Sequence, residues 1–346
     1  YDDNHPQEQE QEQGYVFAPD VIEKLRRATV LNNVYKELQR VMKDDSTDPL
    51  EYGALLITRY HSIDHDIVVD EDTGVVSSCI ETYVERELDG LASLLLSRLR
   101  ARHVNNDDPA TGDSSSSTSA NANANTNTNT YPVRIVLEEM KYLFAKWEDV
   151  PEHEMNGFGD DPVAEMISST STSTSPSTLQ PVNASPPFIG NRVNYYSVSN
   201  SMTHHILKRR CGIPLTLAVM YAAIVRRATG IELNPMGLPG HFMLSATIPG
   251  KEQIFVDAFD GGAMRSLSDV KTMLETSFGF AWNDNESYCQ PISKEFVWLR
   301  MLRNLANCLD IDFTKTEFRL LFQLAKDLDS EYVLAFCEFF WRTNNE

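Results

Sequence analysis

Apolar positions recur at helical spacing through much of the chain. Val21, Leu25, Val30, Leu31, Val34, Leu38 and Val41 form one stripe, opened by Asp20 as an N-cap after Pro19, and predict a first helix. Asp48–Tyr60 predicts a second helix. Thr82–Leu99 predicts a third, with Val84, Leu88, Leu91, Leu94 and Leu95 facing inward. The pattern returns over Pro132–Trp147 and over Met202–Arg210. Ile213–Arg227 is different, being apolar nearly all round, and predicts a helix buried on every side. Pro214 suits its first turn and Gly230 supplies its stop. His241–Thr247 and Gln253–Ala258 are short runs that predict two strands, joined by a turn at Pro249-Gly250. Leu267–Phe278, Ser293–Leu309, Lys315–Leu328 and Glu331–Arg342 return to helical spacing.

Between these elements the pattern fails in three places. Residues 1–16 are rich in Gln and Glu and read as a disordered tail. Residues 104–130 are low in complexity, and a second insertion at 151–187 surrounds a Ser/Thr/Pro tract. Neither tract buries enough apolar surface to offset chain entropy, so both read as solvated insertions in surface loops. A phosphorylated or partner-binding tract is the sharper alternative. The chain thus divides into a tail at 1–16, a domain at 17–290 carrying both insertions, and a helical extension at 291–346. One helical pair or triple is too short for a self-supporting solenoid, so the extension is expected to dock on the domain.

Charge and cysteine usage narrow the functional classes. Fifty Asp and Glu against thirty Lys and Arg give a net charge of −20. Such a chain as a whole is not expected to bind nucleic acid or an anionic membrane, since both need clustered Lys and Arg. Residues 201–230 contrast with this, holding Lys208, Arg209, Arg210, Arg226 and Arg227 and no acid. These cations either form a positive rim for an acidic partner or solvate the ends of the buried helix. The five cysteines are scattered and include no C-x-x-C pair, which argues against zinc or a disulfide framework and for a reducing intracellular, cytoplasmic setting. The first residue is Tyr, so a removed targeting segment stays open. No run approaches the roughly 18 apolar residues of a membrane span. His204 and His205 are adjacent and lack the i, i+4 spacing of a zinc pair. No glycine-rich phosphate loop is present. No metal and no cofactor are expected.

The order of elements carries the candidate chemistry. A buried helix preceded by Gly212 is followed by a strand opening on His241 and a strand carrying Asp257. Cysteine-dependent acyl transfer uses this layout. A thiol at a helix N-terminus is acidified, an imidazole takes its proton, and a carboxylate orients the imidazole. The segments GNRVNYYSVSNSMTHHILKRRCGIPLTLAVMYAAIVRR, GLPGHFML and FVDAFDGG resemble the SirB-type branch of the transglutaminase-like superfamily. EYGALLITRY and PISKEFVWLRMLRNL add to the resemblance, which runs from about Asp48 to Leu309. That branch occurs as stand-alone bacterial proteins and inside certain eukaryotic F-box proteins.

The resemblance implies a helix-rich α+β fold. A papain/transglutaminase-like core, a buried helix on a small antiparallel sheet, is flanked by helices on both sides. His241 and Asp257 fall on the family's His and Asp positions. Pro214 falls where active members of the wider superfamily carry the Cys nucleophile, a loss that the resemblance implies is normal in this branch. His241 and Asp257 are therefore read as a remnant dyad. Cys211, three residues before Pro214 and flanked by Arg209 and Arg210, is an offset candidate nucleophile, and Thr216 in the first helical turn is a weaker one. Asn194, Tyr195 and Tyr196 match the family's Asn-Tyr-Tyr-like start and are expected to pack their loop on the core.

Two functions follow. One is a pseudo-enzyme acting as a protein-interaction or regulatory module with a protein partner, linked by family analogy to ubiquitin-ligase or protein-turnover assemblies, although the chain shows no clear F-box. The other is a protease or transglutaminase using Cys211 with His241 and Asp257. A scaffold binding partners through its terminal helices is a third reading.

Overall fold

A computed structural model describes residues 19–43, 48–62, 66–69, 76–106, 131–149, 186–247, 253–283 and 290–308. The expected tail, most of both insertions, the Pro249-Gly250 turn and the helices at 315–328 and 331–342 lie outside these residues.

Four helices come first: α1 (Pro19–Lys43), α2 (Leu50–His61), α3 (Cys79–Asn106) and α4 (Val133–Met140). Strands β1 (Ile67–Val69) and β2 (Val76–Ser78) form a hairpin between α2 and α3 that no sequence pattern announced. Asp66, almost fully buried, ties this hairpin down. It accepts from Ser78 Oγ and from Ile80 N, and pairs with Arg59 at 2.9 Å. Ser78 Oγ in turn caps α3 by accepting from Glu81 N. The α1 stripe is only half used. Val34, Leu38 and Val41 are buried, whereas Val21 and Leu25 are exposed.

The helix expected over Pro132–Trp147 stops at Met140. Phe144 is drawn into the core instead, where it forms a parallel bridge with Phe188. Phe188 N donates to Leu143 O at 2.7 Å, Ala145 N donates to Phe188 O at 2.9 Å, and the two rings stack 4.9 Å apart. Burying two aromatic rings outweighs one further helical turn.

The second half follows as β3 (Ile189–Gly190), α5 (Thr203–Arg209), β4 (Cys211–Gly212) and α6 (Pro214–Thr229). A meander follows of β5 (Asn234–Met236), β6 (Met243–Thr247), β7 (Gln253–Asp257) and β8 (Ala263–Arg265), then α7 (Leu267–Phe278) and α8 (Lys294–Cys308). The four-stranded sheet is antiparallel in the order β5-β6-β7-β8. Every residue of α6 from Pro214 to Val225 is buried, as its all-round apolar pattern requires. The helix packs against α2, α3, α5 and β6.

Both faces of the sheet are covered. Leu244, Ala246 and Val256 join the main core on the α6 side, while Met243 and Phe255 join Val270 and Leu274 under α7. The fold is therefore helix-rich α+β with a buried helix on a small antiparallel sheet. No helix among the described residues is long and apolar enough to cross a membrane.

Candidate functional site

The meander places the sequence-predicted pair side by side. His241 lies two residues before β6 rather than inside it. Strand register pairs Leu244 with Val256, so Met243 lies beyond that pair opposite Asp257, and His241 falls on the same face. Gly240, at φ 71°, makes the turn that delivers the histidine, and a Cβ there would sit 2.4 Å from the Phe278 ring. His241 Nε2 lies 3.1 Å from Asp257 Oδ1, with the side chains 10% and 3% exposed. The contact is an ion-pair distance whose N–H direction misses hydrogen-bond alignment. The imidazole is walled by Phe278, stacked at 5.9 Å, and by Phe259, edge-on at 6.2 Å.

Asp257 serves more than the histidine. Register sets Arg265 opposite Phe255, on the same face as Asp257, and its guanidinium reaches Asp257 at 3.5 Å and Asp260 at 2.6 Å. Asp260 N also donates to Asp257 Oδ1. Burial is the largest influence on this carboxyl and opposes its charge. The His241 ring, the Arg265 guanidinium and the Asp260 amide together still hold it below the usual carboxylate range. A depressed folded-state pKa contributes stability that is fully present above the unfolded value of about 3.9 and is lost as pH falls through the folded value. Urea unfolding at pH 7 should therefore show Asp257→Asn destabilised by about 1–3 kcal/mol. The deficit should shrink toward pH 3. A constant deficit across that range would contradict the assignment.

The candidate nucleophiles stand at the start of α6. Cys211 is 3% exposed in β4, and burial pushes its thiol up to about 11 despite the nearby Arg209. The cationic flank expected to favour a thiolate is outweighed by desolvation. Pro214 is the first residue of α6. The Thr216 hydroxyl donates to Asn200 O at 2.7 Å and lies 3.3 Å from Ile213 O, so backbone carbonyls hold its proton.

The structure decides between the two readings of the cations and changes one expectation. Arg226 and Arg227 form no free rim. Both meet Glu51, and Arg227 also meets Glu85 and Asp89 at 2.8 and 2.7 Å. Tyr195 and Tyr196 do not pack inward, being 39% and 71% exposed. The loop is held by its asparagines instead. Asn191 Oδ1 accepts from Val193 N and Asn194 N, and Asn200 Nδ2 donates to Asn194 O and Tyr195 O. Arg265, Phe259 and these asparagines escaped sequence reading, because their roles depend on strand register and on a turn. No group of three or more His, Cys, Asp or Glu among the described residues is placed to hold a metal.

Residues 175–303 match the family profile described as the transglutaminase-like superfamily. The chain carries a transglutaminase-like superfamily domain. Mouse F-box only protein 21 is 32% identical over 94 residues, 25% of this chain and 15% of that protein. The human protein of that name is 33% identical over the same length, with the same coverage. A UPF0162 protein of Xylella fastidiosa (strain 9a5c) is 31% identical over 122 residues, 34% of this chain and 42% of the relative. The matches thus span less than half the length of these relatives. No solved structure gives a significant match. Within the transglutaminase-like domain, the matched stretch holds His241, Asp257, Cys211 and Pro214 together.

Proposed function

We propose that this chain is a non-catalytic member of the SirB-type branch whose transglutaminase-like domain serves as a protein-interaction or regulatory module. One observation carries the reading. The imidazole and carboxylate stand together, while at the start of α6 Pro214 has no nucleophilic atom, the Cys211 thiol is buried and the Thr216 hydroxyl donates to a backbone carbonyl. Burial pushes the Cys211 thiol up to about 11, which keeps it protonated at pH 7. Pro214 brings no nucleophile, and the Thr216 proton is committed to carbonyls. Similarity to F-box only protein 21 supports a place in ubiquitin-linked protein-turnover assemblies.

The test is chemical. The full chain is treated with iodoacetamide at pH 7, and each cysteine-bearing peptide is followed by mass spectrometry. Cys211 should be modified no faster than the other cysteines, and His241→Ala should leave its rate unchanged. Fast labelling of Cys211 that vanishes in His241→Ala would replace this reading with a cysteine-dependent acyl-transfer enzyme.

A further inference from the structure

A cleft of about 650 Å³ opens between α1, α2, β2 and the start of α3, and shares no lining residue with the His241–Asp257 site. Its size falls within the range of about 300–1,000 Å³ typical of small-ligand sites. Part of the lining is apolar, formed by Val30 and Val34 of α1 and Leu56 of α2. The polar part is braced from within the fold. The Tyr52 hydroxyl donates to Glu37 at 3.0 Å, and Asp66, almost fully buried, accepts from Ser78 Oγ and from Ile80 N. Side chains fixed in this way lose little freedom when a ligand arrives.

Charge then sets the class of ligand. Glu37, Asp66 and Glu81 line the cleft together with one cation, Arg59. That guanidinium is shared, its Nε meeting Asp66 at 2.9 Å and its Nη1 meeting Glu81 at 2.6 Å. Glu37 is matched by Arg40 at 2.7 Å, but Arg40 also serves Asp48 at 2.9 Å. Four carboxylates thus share two guanidiniums, and Lys294, which donates to the Asp48 backbone carbonyl at 2.5 Å, adds one further cation. A negative charge is left over, and it falls on Glu81. Asp66 is enclosed by Arg59, Ser78 and Ile80, whereas the Glu81 side chain is 42% exposed and only its Oε2 takes a hydrogen bond among the described residues. The field of this carboxylate reaches Tyr52. Burial is the largest cause that pushes the Tyr52 phenol up to about 12, and the charges of Glu37 and Glu81 add to it.

We infer that this cleft binds a small organic cation, an ammonium group carried on an apolar body. The ammonium donates to the open Oε1 of Glu81, and the apolar body packs on Val30, Val34 and Leu56 beside the Tyr52 ring. The surplus negative charge disfavours an anionic ligand. The carboxylates are not grouped to hold a metal ion, so the apolar lining and the spare charge are satisfied together by a cation with a hydrocarbon body. The inference goes beyond the interaction-module reading and does not depend on it.

The experiment is isothermal titration calorimetry of the full chain at pH 7 with phenethylamine. The neutral 2-phenylethanol and the anionic 3-phenylpropionate serve as parallel probes. The amine should bind at least about tenfold more tightly than either, because only it makes a charge-assisted hydrogen bond, and its affinity should fall as salt rises. Glu81→Gln keeps the shape of the side chain and should weaken the amine about fivefold or more. Asn33→Trp, at an exposed position in the cleft lining, should abolish binding by filling the space. Glu275→Gln, an exposed charge removed from α7 outside the cleft, should leave it unchanged. Thermal unfolding of each variant confirms that it is folded. Absence of amine binding, equal affinity for amine and alcohol, preference for the carboxylate, or unaltered binding in folded Glu81→Gln or Asn33→Trp would each overturn the inference.

Discussion

Glu51→Ala should lower the unfolding free energy by about 3 kcal/mol, measured by urea denaturation at pH 7. Glu51 is 3% exposed in the first turn of α2, where its carboxylate meets Arg226 and Arg227 of α6. Breaking a buried ion pair from one side costs about 3–5 kcal/mol, because the remaining charge stays desolvated. The lower end applies here for two reasons. Arg226 is 27% exposed, so water partly compensates it, and Arg227 keeps Glu85 and Asp89. The cause is separable from lost packing. Glu51→Met with Arg226→Met should recover part of the loss, since two apolar side chains leave no stranded charge between them. A double variant as unstable as the sum of its single changes would show that the pair is not what holds these helices.

Trp298→Ala should be the costliest single truncation, at about 3–5 kcal/mol. The indole is fully buried, and its Nε1 donates to Leu50 O at 2.9 Å. Gly53 on α2 exists to admit it, since a Cβ there would stand 2.3 Å from the ring. Gly53→Leu should therefore destabilise by overpacking, about 1–3 kcal/mol. The two changes should not add, because each removes the same contact. The loss reaches the site as well. Trp298 fixes α8, which carries Arg300, and Arg300 donates to the His241 carbonyl at 3.4 Å. Near-native stability in Trp298→Ala would mean that α8 is held by something other than this ring.

Periodicity made the long elements legible. The buried helix with Pro214 at its start and Gly230 at its stop follows from an unbroken apolar surface and two residues with fixed backbone preferences. The α7 boundaries follow from an amphipathic run capped by Ser266 and Asp269. Short elements were not legible. The Ile67–Val69 and Val76–Ser78 hairpin has three residues per strand, too few for alternation to register, and it is fixed by the distant partners of Asp66. Pro132–Trp147 kept a helical pattern to its end, yet the rings of Phe144 and Phe188 gain more by meeting. At the site, His241 and Asp257 could be named from residue type and order. Arg265 could not, because its claim on Asp257 comes from the pairing of β7 with β8. The raised pKa of Cys211 was out of reach for a related reason. Its charged neighbours are visible in sequence, but its depth is not.

The bridge between Phe144 and Phe188 has a corollary for loop length. It joins Phe144 and Phe188 directly, so the core segments on either side meet there through side chains and amides. Closing a longer loop over such a junction adds only about 0.6 kcal/mol for each doubling of its length. Lengthening or shortening the segment between these two residues should therefore leave the bridge and the unfolding free energy nearly unchanged.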